Sequence, residues 1–418
     1  MREMKDSGIE WIGDIPVNWS IMPNKYLMWK KKRICPIYNG EDIISLSMNG
    51  VVIRDLEAGG KMPTTFDGYQ YIESGNLLMC LFDIDVTPRC IGLIKNNGLT
   101  SPAYSQFVLT NIANAEYYNY YYTMLDNEKT LVHLAKNLRH SLTEEQLGMI
   151  NTIVPPLPEQ KSIADFLDSK CSEIDGLISD IQKQITTLEE YKRSVITESV
   201  TKGLNPDAEM KDSGVEWIGV IPKHWKIEKI KYHLKRNEPR NPGNKQVLSV
   251  YREYGVIPKD SRDDNHNVTS DDTSKYKYVV KNNLVINKMK AWQGSMGVSD
   301  YEGIVSPAYF IYIFTSLKLL PKYIHYLFRS SYKDEFRRIS GGIREGQWDL
   351  SADEFENTVL LIPTISEQHK IIDYIQSKTN KIDSIISEKK KQIETIEEYK
   401  KSLIFEYVTG KREVYVNE

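Results

Sequence analysis

Apolar residues fall into two kinds of pattern along this chain. Short β-branched and aromatic runs are broken by glycine, asparagine and proline, whereas two long stretches bring apolar residues back every three or four positions. From Glu159 to about Val200, residues Ile163, Leu167, Ile174, Leu177, Ile181, Leu188 and Val195 are spaced by threes, fours and their sums, with Lys, Glu, Gln, Asp and Ser between them. That spacing predicts a heptad seam on one face of a long helix. From Glu367 to about Val408 the pattern returns, with Ile371, Ile375, Ile382, Ile385, Ile393, Ile396 and Leu403 in nearly the same register. Each stretch offers the other a complementary apolar stripe, and neither is expected to be stable alone. Lys170 and Lys378 are expected at matching seam positions, their stems covering apolar surface while the ammonium groups reach water. At a rise of 1.5 Å per residue, such a helix is a rod of roughly 60 Å.

The rods belong to a larger repetition. Met4–Trp19 reads MKDSGIEWIGDIPVNW, and 206 residues later Met210–Trp225 reads MKDSGVEWIGVIPKHW. Ser101-Pro102-Ala103-Tyr104 returns after 205 residues as Ser306-Pro307-Ala308-Tyr309, and Glu159-Gln160 returns after 208 as Glu367-Gln368. A nearly constant offset across three anchors makes the whole chain a tandem duplication. Two copies of a period near 200 residues lie far outside solenoid arrays, so each copy is a domain followed by a long helix. Short strands are expected at Asp42–Ile53, Asn76–Phe82 and Ser105–Thr110, and in the second copy at Gln246–Tyr251, Tyr276–Ile286 and Tyr309–Phe314. Helices are expected at Ala115–Leu125, Thr143–Ile150 and Pro321–Phe336. PPLPEQ at Pro155–Gln160 and IPTISEQ at Ile362–Gln368 read as hinges, each rod beginning only after its proline. Only nine residues separate Val200 from Met210, so both rods are expected to reach the second domain and to pair antiparallel, giving a dumbbell with a pseudo-two-fold axis.

Composition narrows the class without changing this plan. A chain of 418 residues with 40% hydrophobic and 27% charged content reads as a soluble globular protein of two or three domains. No apolar stretch is long enough to span a bilayer, and MREMKDSGIEWIG lacks the order of a signal peptide, so a cytoplasmic protein with no membrane partner is expected. Cys35, Cys80, Cys90 and Cys171 show no C-x-x-C spacing and read as free thiols, with no structural zinc. A net charge of −3 argues against coating nucleic acid through bulk positive charge, while leaving room for a locally basic groove.

The opening motif, with two tryptophans, two glycines and a proline, reads as a structural pin for the first segment of each domain. Tyr104 and Tyr309 either bond within the core or offer a hydroxyl to a phosphate, and the core is favoured. Chemistry is expected where the copies diverge. In the second, Lys275-Tyr276-Lys277-Tyr278 and Lys281 precede Asn287-Lys288-Met289-Lys290-Ala291-Trp292-Gln293-Gly294-Ser295. Basic, aromatic and amide side chains beside a strand suit phosphate tracking and base-edge contact, which makes Lys277, Lys288, Lys290, Trp292 and Gln293 candidate DNA-binding residues; a solvated strand face is the alternative. The loop Gly341–Asp349 adds Arg344 and Gln347, matched to guanine and adenine, unless Arg344 merely pairs with Glu345 or Asp349. The corresponding pieces of the first copy are Asp83–Arg89 and Asn137–Ser141, which contribute Arg89 and Arg139. The run Lys30-Lys31-Lys32-Arg33 reads as a solvated face. No phosphate loop, dinucleotide fingerprint, H-E-x-x-H or Asn-Pro-Pro-aromatic tetrad is present, so no catalytic and no metal residue is expected.

The repeat, the two S-P-A-Y anchors, the P-L-P-E-Q entry to a long heptad helix and the E-E-Y-K-[RK]-S exit together resemble the specificity subunit of type I restriction-modification systems, over essentially the full length. The resemblance implies an α+β chain in which two mixed α/β target recognition domains are separated by a pair of long antiparallel coiled-coil helices. Residues 1–156 and 205–362 would be the recognition domains, and 157–204 and 363–410 the helices. It further implies that each domain reads one half of a bipartite site in double-stranded DNA. The helices would set the spacer and dock two adenine methyltransferase subunits, to which restriction and translocase subunits add. The subunit itself would be non-catalytic and hold no cofactor, with S-adenosylmethionine, ATP and Mg in its partners. Half-sites one helical turn apart lie roughly 34 Å from centre to centre, within reach of a rod of this length. Against this stand a self-sufficient methyltransferase or nuclease, opposed by the missing motifs, and a coiled-coil scaffold with protein-binding end domains.

Overall fold

The structure, a computed structural model, describes residues 2–48, 50–57, 63–135, 140–243, 245–262, 272–342 and 348–414. The chain divides into two compact units, Met1–Ile181 with Lys390–Glu418, and Gln182–Lys389. The expected boundaries at the ends of the helices follow secondary structure; compactness instead shares each long helix between the units.

The first unit is built on a four-stranded antiparallel sheet in the order Met28–Lys31, Tyr104–Leu109, Leu77–Cys80 and Ile91–Leu93. The second unit has the same order, with Leu234–Arg236, Tyr309–Phe314, Leu284–Asn287 and Met296–Val298. Small antiparallel pairs flank each sheet. Asp42–Ile53 is a hairpin of Ile44–Ser47 and Gly50–Ile53, and not one strand, because Gly50 takes φ 88° at the turn. Tyr276–Ile286 likewise divides into Lys277–Val279 and Leu284–Asn287 around Asn282 at φ 70°. Pro321–Phe336 forms two helices, Pro321–Ser330 and Lys333–Arg338. The expected helices of the first copy appear as Ala115–Asn127, capped by Asn114, and Glu144–Met149, with a capping box at Thr143 and Gln146.

The long helices run Leu157–Lys202 and Ile365–Val408, of 46 and 44 residues. The first starts before Pro158 and not after it. A proline in the first turn lacks only an N–H that has no partner within the helix, so it costs little there. The seam is phased one residue away from part of the expected set: Leu177 is 51% exposed and Ile385 42%, while Ile185 and Ile386 are buried. The buried and half-buried line is Ala164, Leu167, Cys171, Ile174, Ile178, Ile181, Ile185, Leu188, Lys192, Val195 and Ser199, in alternating steps of three and four. The second helix repeats it with Ile372, Ile375, Thr379, Ile382, Ile386, Lys389, Ile393, Ile396, Lys400, Leu403 and Tyr407. Lys170 and Lys378 therefore leave the seam to Cys171 and Thr379; Lys170 pairs with Glu173 at 2.9 Å and Lys378 lies over the Tyr374 ring.

Each unit contains a segment of both helices, tied by an equivalent ion pair: Lys400 to Asp175 at 2.6 Å in the first, and Lys192 to Asp383 at 2.7 Å in the second. Such exposed pairs contribute about 0–1 kcal/mol each, so they serve register more than stability.

The opening motif joins domain to helices. In the first unit the buried Trp19 donates its indole N–H to Glu159 Oε2 at 2.9 Å, and Arg2 pairs with the same carboxylate. In the second, Trp225 donates to Glu367 Oε1 at 3.0 Å. The neighbouring glutamines are fully buried: Gln160 accepts from the Asn114 N–H and donates to the Ile112 and Pro155 carbonyls, and Gln368 makes the same set with Leu320, Lys318 and Pro363. Tyr117 then donates to the Val408 carbonyl at 2.7 Å, and Tyr323 to that of Val200 at 3.1 Å. Burial pushes both phenols well above their ordinary pKa, so they remain donors. Gly410 takes φ 73°, and a Cβ there would meet Pro16 at 2.6 Å and Trp19 at 2.8 Å. The motif thus holds the start of one long helix and the end of the other within one unit.

Beneath the second sheet, the helix Pro321–Ser330 aims His325 Nδ1 at the Val298 N–H, 3.2 Å away. Burial, with the positive charges of Arg329 and Lys322, lowers its pKa to about 3.

Two outcomes are expected. Glu159→Ala strands a buried indole N–H and destabilises the chain by about 2–3 kcal/mol, measured by denaturant unfolding; a loss under about 0.5 kcal/mol would remove the clamp from the account. His325 stays neutral when folded but binds a proton when unfolded below pH about 6.5, so stability falls as the pH drops from there toward about 3. Relative to His325→Gln, the wild-type chain should lose about 2 kcal/mol more between pH 7.5 and 5. Parallel melting curves for the two proteins across that range would refute this.

Candidate nucleic-acid interface

The divergent segment of the second unit connects two neighbouring sheet strands. Leu284–Asn287 is fully buried, and the chain then turns through a 3-10 helix, Lys288–Gln293, before Met296–Val298. Six residues is long for a 3-10 helix, whose hydrogen bonds are poorer than those of an α-helix. Packing sustains it: Ala291 is fully buried, and the segment lies against Lys333–Arg338 and Asp349–Leu350. Gly294 closes it at φ 88°, donating to the Lys290 and Ala291 carbonyls.

Lys288, Lys290, Trp292 and Gln293 are therefore brought together on one short element. Lys288 Nζ lies 2.6 Å from Asp349 Oδ2. Lys290 is exposed, as is Met289 beside it. Trp292 packs edge-to-face with Trp348, the centroids 5.6 Å apart, and the Arg337 guanidinium lies 6.0 Å from the Trp348 ring. Gln293 Oε1 accepts from Arg252 Nη2. Arg252 lies between the paired strands Leu248–Tyr251 and Gly255–Pro258, and was not among the expected site residues. The turn Arg252-Glu253-Tyr254-Gly255 between two alternating runs was the signal that could have found it.

The other expected residues do not join this group. Lys277 donates to the Tyr309 carbonyl at 2.6 Å and pairs with Glu238 at 3.0 Å. Burial alone would raise the Glu238 carboxyl, but hydrogen bonds from Arg236 and Lys277 outweigh it and hold its pKa low. Arg89 donates to Asn127 Oδ1 at 3.0 Å and approaches the buried Asp126 at 3.4 Å, in the wall of a cleft of about 1010 Å³ in the first unit. Lys129 shares Asp126 with it. Arg139, Arg344 and Gln347 lie outside the described residues. Of the upstream basic run, Lys31 pairs with Glu73 and Arg33 covers the Tyr71 ring.

In the first unit the connection after Leu77–Cys80 is of opposite character. Asp83 stands at φ 46°, Val86 is 73% exposed, and Asp85 pairs with His140 at 2.9 Å. The hydrogen bond from His140 lowers the Asp85 pKa. Topologically equivalent positions thus present carboxylates and an aliphatic side chain in one unit, and ammonium, indole and amide groups in the other. Among the described residues no group of three or more His, Cys, Asp or Glu side chains is placed to hold a metal ion, and no helix is long and apolar enough to cross a membrane.

Comparison with known proteins shows what this chain is similar to. Residues 90–187 match the type I restriction modification DNA specificity domain. The chain is 28% identical over 279 residues to the type I restriction enzyme MjaVIII specificity subunit of Methanocaldococcus jannaschii, covering 62% of this chain and 61% of that one. It is 20% identical over 264 residues to the EcoKI specificity subunit of Escherichia coli, covering 59% of this chain and 54% of that one. The match thus spans about three fifths of the first relative's length. In fold, it resembles a chain from a structure on complex assembly and conformational transition of a type I R-M system, with TM-score 0.66, 10% identity and coverage of 95% and 99%. It also resembles the HsdS subunit of Thermoanaerobacter tengcongensis, with TM-score 0.50, 10% identity and coverage of 95% and 98%. The chain thus carries a match to a type I restriction modification DNA specificity domain over residues 90–187 and is similar in sequence to type I restriction enzyme specificity subunits.

Proposed function

We propose that this chain is a DNA-reading subunit of a cytoplasmic type I restriction-modification complex. Each unit reads one half of a bipartite site in double-stranded DNA. The long helices pair antiparallel as a coiled coil, set the distance between half-sites, and dock two methyltransferase subunits, to which restriction and translocase subunits add. The chain performs no chemistry of its own; S-adenosylmethionine, ATP and Mg belong to its partners.

One observation carries this reading. The two units share strand order, helix clamp and helix-to-helix ion pair, yet differ at the loop joining the same two sheet strands, Asp83–Arg89 against Lys288–Gln293. A common frame with two different faces suits an asymmetric two-part target, because sequence is read by side chains at base edges while shared backbone contacts only position the protein. The modest net charge is compatible with partners supplying many of the phosphate contacts.

Mapping methylated adenines genome-wide, with this chain and its methyltransferase partner present or absent, should reveal one bipartite motif that disappears without the chain. Methylation by the purified chain alone would refute the reading, as would no change in the methylome. Inserting four residues after both Gln184 and its equivalent Gln392 lengthens each helix by about 6 Å. The expected result is a spacer longer by one or two base pairs with both half-sites unchanged; an unaltered spacer in an assembled complex would show that the helices are not the ruler.

A further inference from the structure

Most groups at the candidate interface of the second unit are tied to one another, and the way two of them are tied has a chemical consequence. Gln293 at the end of the 3-10 helix turns its amide oxygen toward Arg252, whose Nη2 donates to it. A glutamine that reads adenine uses its oxygen to accept from the N6 amino group while its nitrogen donates to N7. With the oxygen directed at the guanidinium, the amide offers Nε2–H donors on its other side. Arg252 keeps further N–H groups and, like any arginine, has no acceptor. As a unit, the pair presents donors.

The backbone beneath the pair is held. Arg329, from the helix Pro321–Ser330, donates to the carbonyls of Arg252 and Glu253 at 2.6 Å each, to Tyr251 at 3.3 Å and to Met296 at 2.9 Å. One guanidinium thereby ties the hairpin carrying Arg252 to the strand that follows the 3-10 helix carrying Gln293. The Arg252 side chain itself is exposed. An exposed guanidinium oriented by a neighbouring amide, on a fastened backbone, has a reduced entropic cost when it forms a two-point contact.

We propose that Arg252 and Gln293 form a single specificity-determining element of the second unit, which recognises guanine through its two major-groove acceptors, O6 and N7. This rests on the DNA-reading function proposed above. Among the described residues, the corresponding hairpin of the first unit turns at Met48 and Gly50 and places no arginine there, so the effect of the element is confined to one half-site.

The test uses the assembled modification complex and compares wild type with Arg252→Ala, Arg252→Lys and Gln293→Ala. In wild type, replacing the guanine read by this pair with 7-deazaguanine should weaken binding. Arg252→Ala should lower discrimination for guanine at that single position by roughly ten- to hundred-fold, leaving the other half-site and the spacer intact. Gln293→Ala should relax the same position to a lesser degree. Arg252→Lys separates base from phosphate: a lysine keeps the charge but lacks the planar fork, so it should not restore discrimination. Uniform weakening of Arg252→Ala across all sequences, with a salt dependence reduced by about one ion and restored by Arg252→Lys, would mark a phosphate contact and overturn the proposal. Relaxation at an adenine or thymine, or no relaxation at any position, would overturn it too. A wild-type complex with no bipartite motif would instead reject the DNA-reading function itself, so the two failures are distinguishable.

Discussion

A carboxylate that accepts from a buried indole N–H, next to a glutamine buried to the last atom, is the contact on which each unit depends. Glu159 and Glu367 receive Trp19 and Trp225, while Gln160 and Gln368 satisfy a loop N–H and two carbonyls that would otherwise be buried without partners. These four residues sit in the first turns of the long helices, where backbone N–H groups lack intrahelical acceptors and negative charge is favoured. Within the same unit, Tyr117 takes up the terminal carbonyl of the other long helix at Val408, and Tyr323 that at Val200. Burying polar groups is costly unless they are paired, and Trp19, Trp225, Gln160 and Gln368 are paired on both sides. In both copies the indole, a proline of the opening motif and the glycine that follows the other helix occupy one small volume.

None of these clamp bonds involves the connection between the two sheet strands. The connection between the two sheet strands that carries the candidate chemistry does not take part in the clamp, so its residues can differ without loosening the domain from its helices. The second unit has a 3-10 helix there, anchored by its own buried Ala291 and with Trp348 packed against Trp292, while the first places Asp85 and Val86 there. Frame and candidate interface are therefore separate parts of the same unit.

Much of the frame was legible in the sequence because duplication writes it twice. The strands at Tyr104–Leu109 and Tyr309–Phe314, the helix after Asn114 and both long helices follow from periodicity and capping. The seam was misread by one residue at Leu177 and Ile385 because each has an isoleucine directly after it, at Ile178 and Ile386. Apolar spacing cannot choose between adjacent apolar residues, and Cys171, Lys192, Lys389 and Lys400 interrupt the pattern that would have decided the phase. The site was less legible. Lys277 and Arg89 look free along the chain, but their carboxylate partners, Glu238 and Asp126, come from distant segments. Arg252 was overlooked for the converse reason, since only folding brings it to Gln293, 41 residues on.

By itself, the sequence determined the duplication, the two long helices and the absence of recognisable catalytic motifs, because repeats, heptads and short motifs are local or compare one stretch with another. Tertiary structure decided which face of each helix is buried, that an opening tryptophan holds the entry of one helix and lies against the glycine ending the other, and which basic side chains remain available to a ligand. Those outcomes depend on hydrogen bonds and ion pairs between residues far apart in the chain, and a single sequence carries no record of such partners.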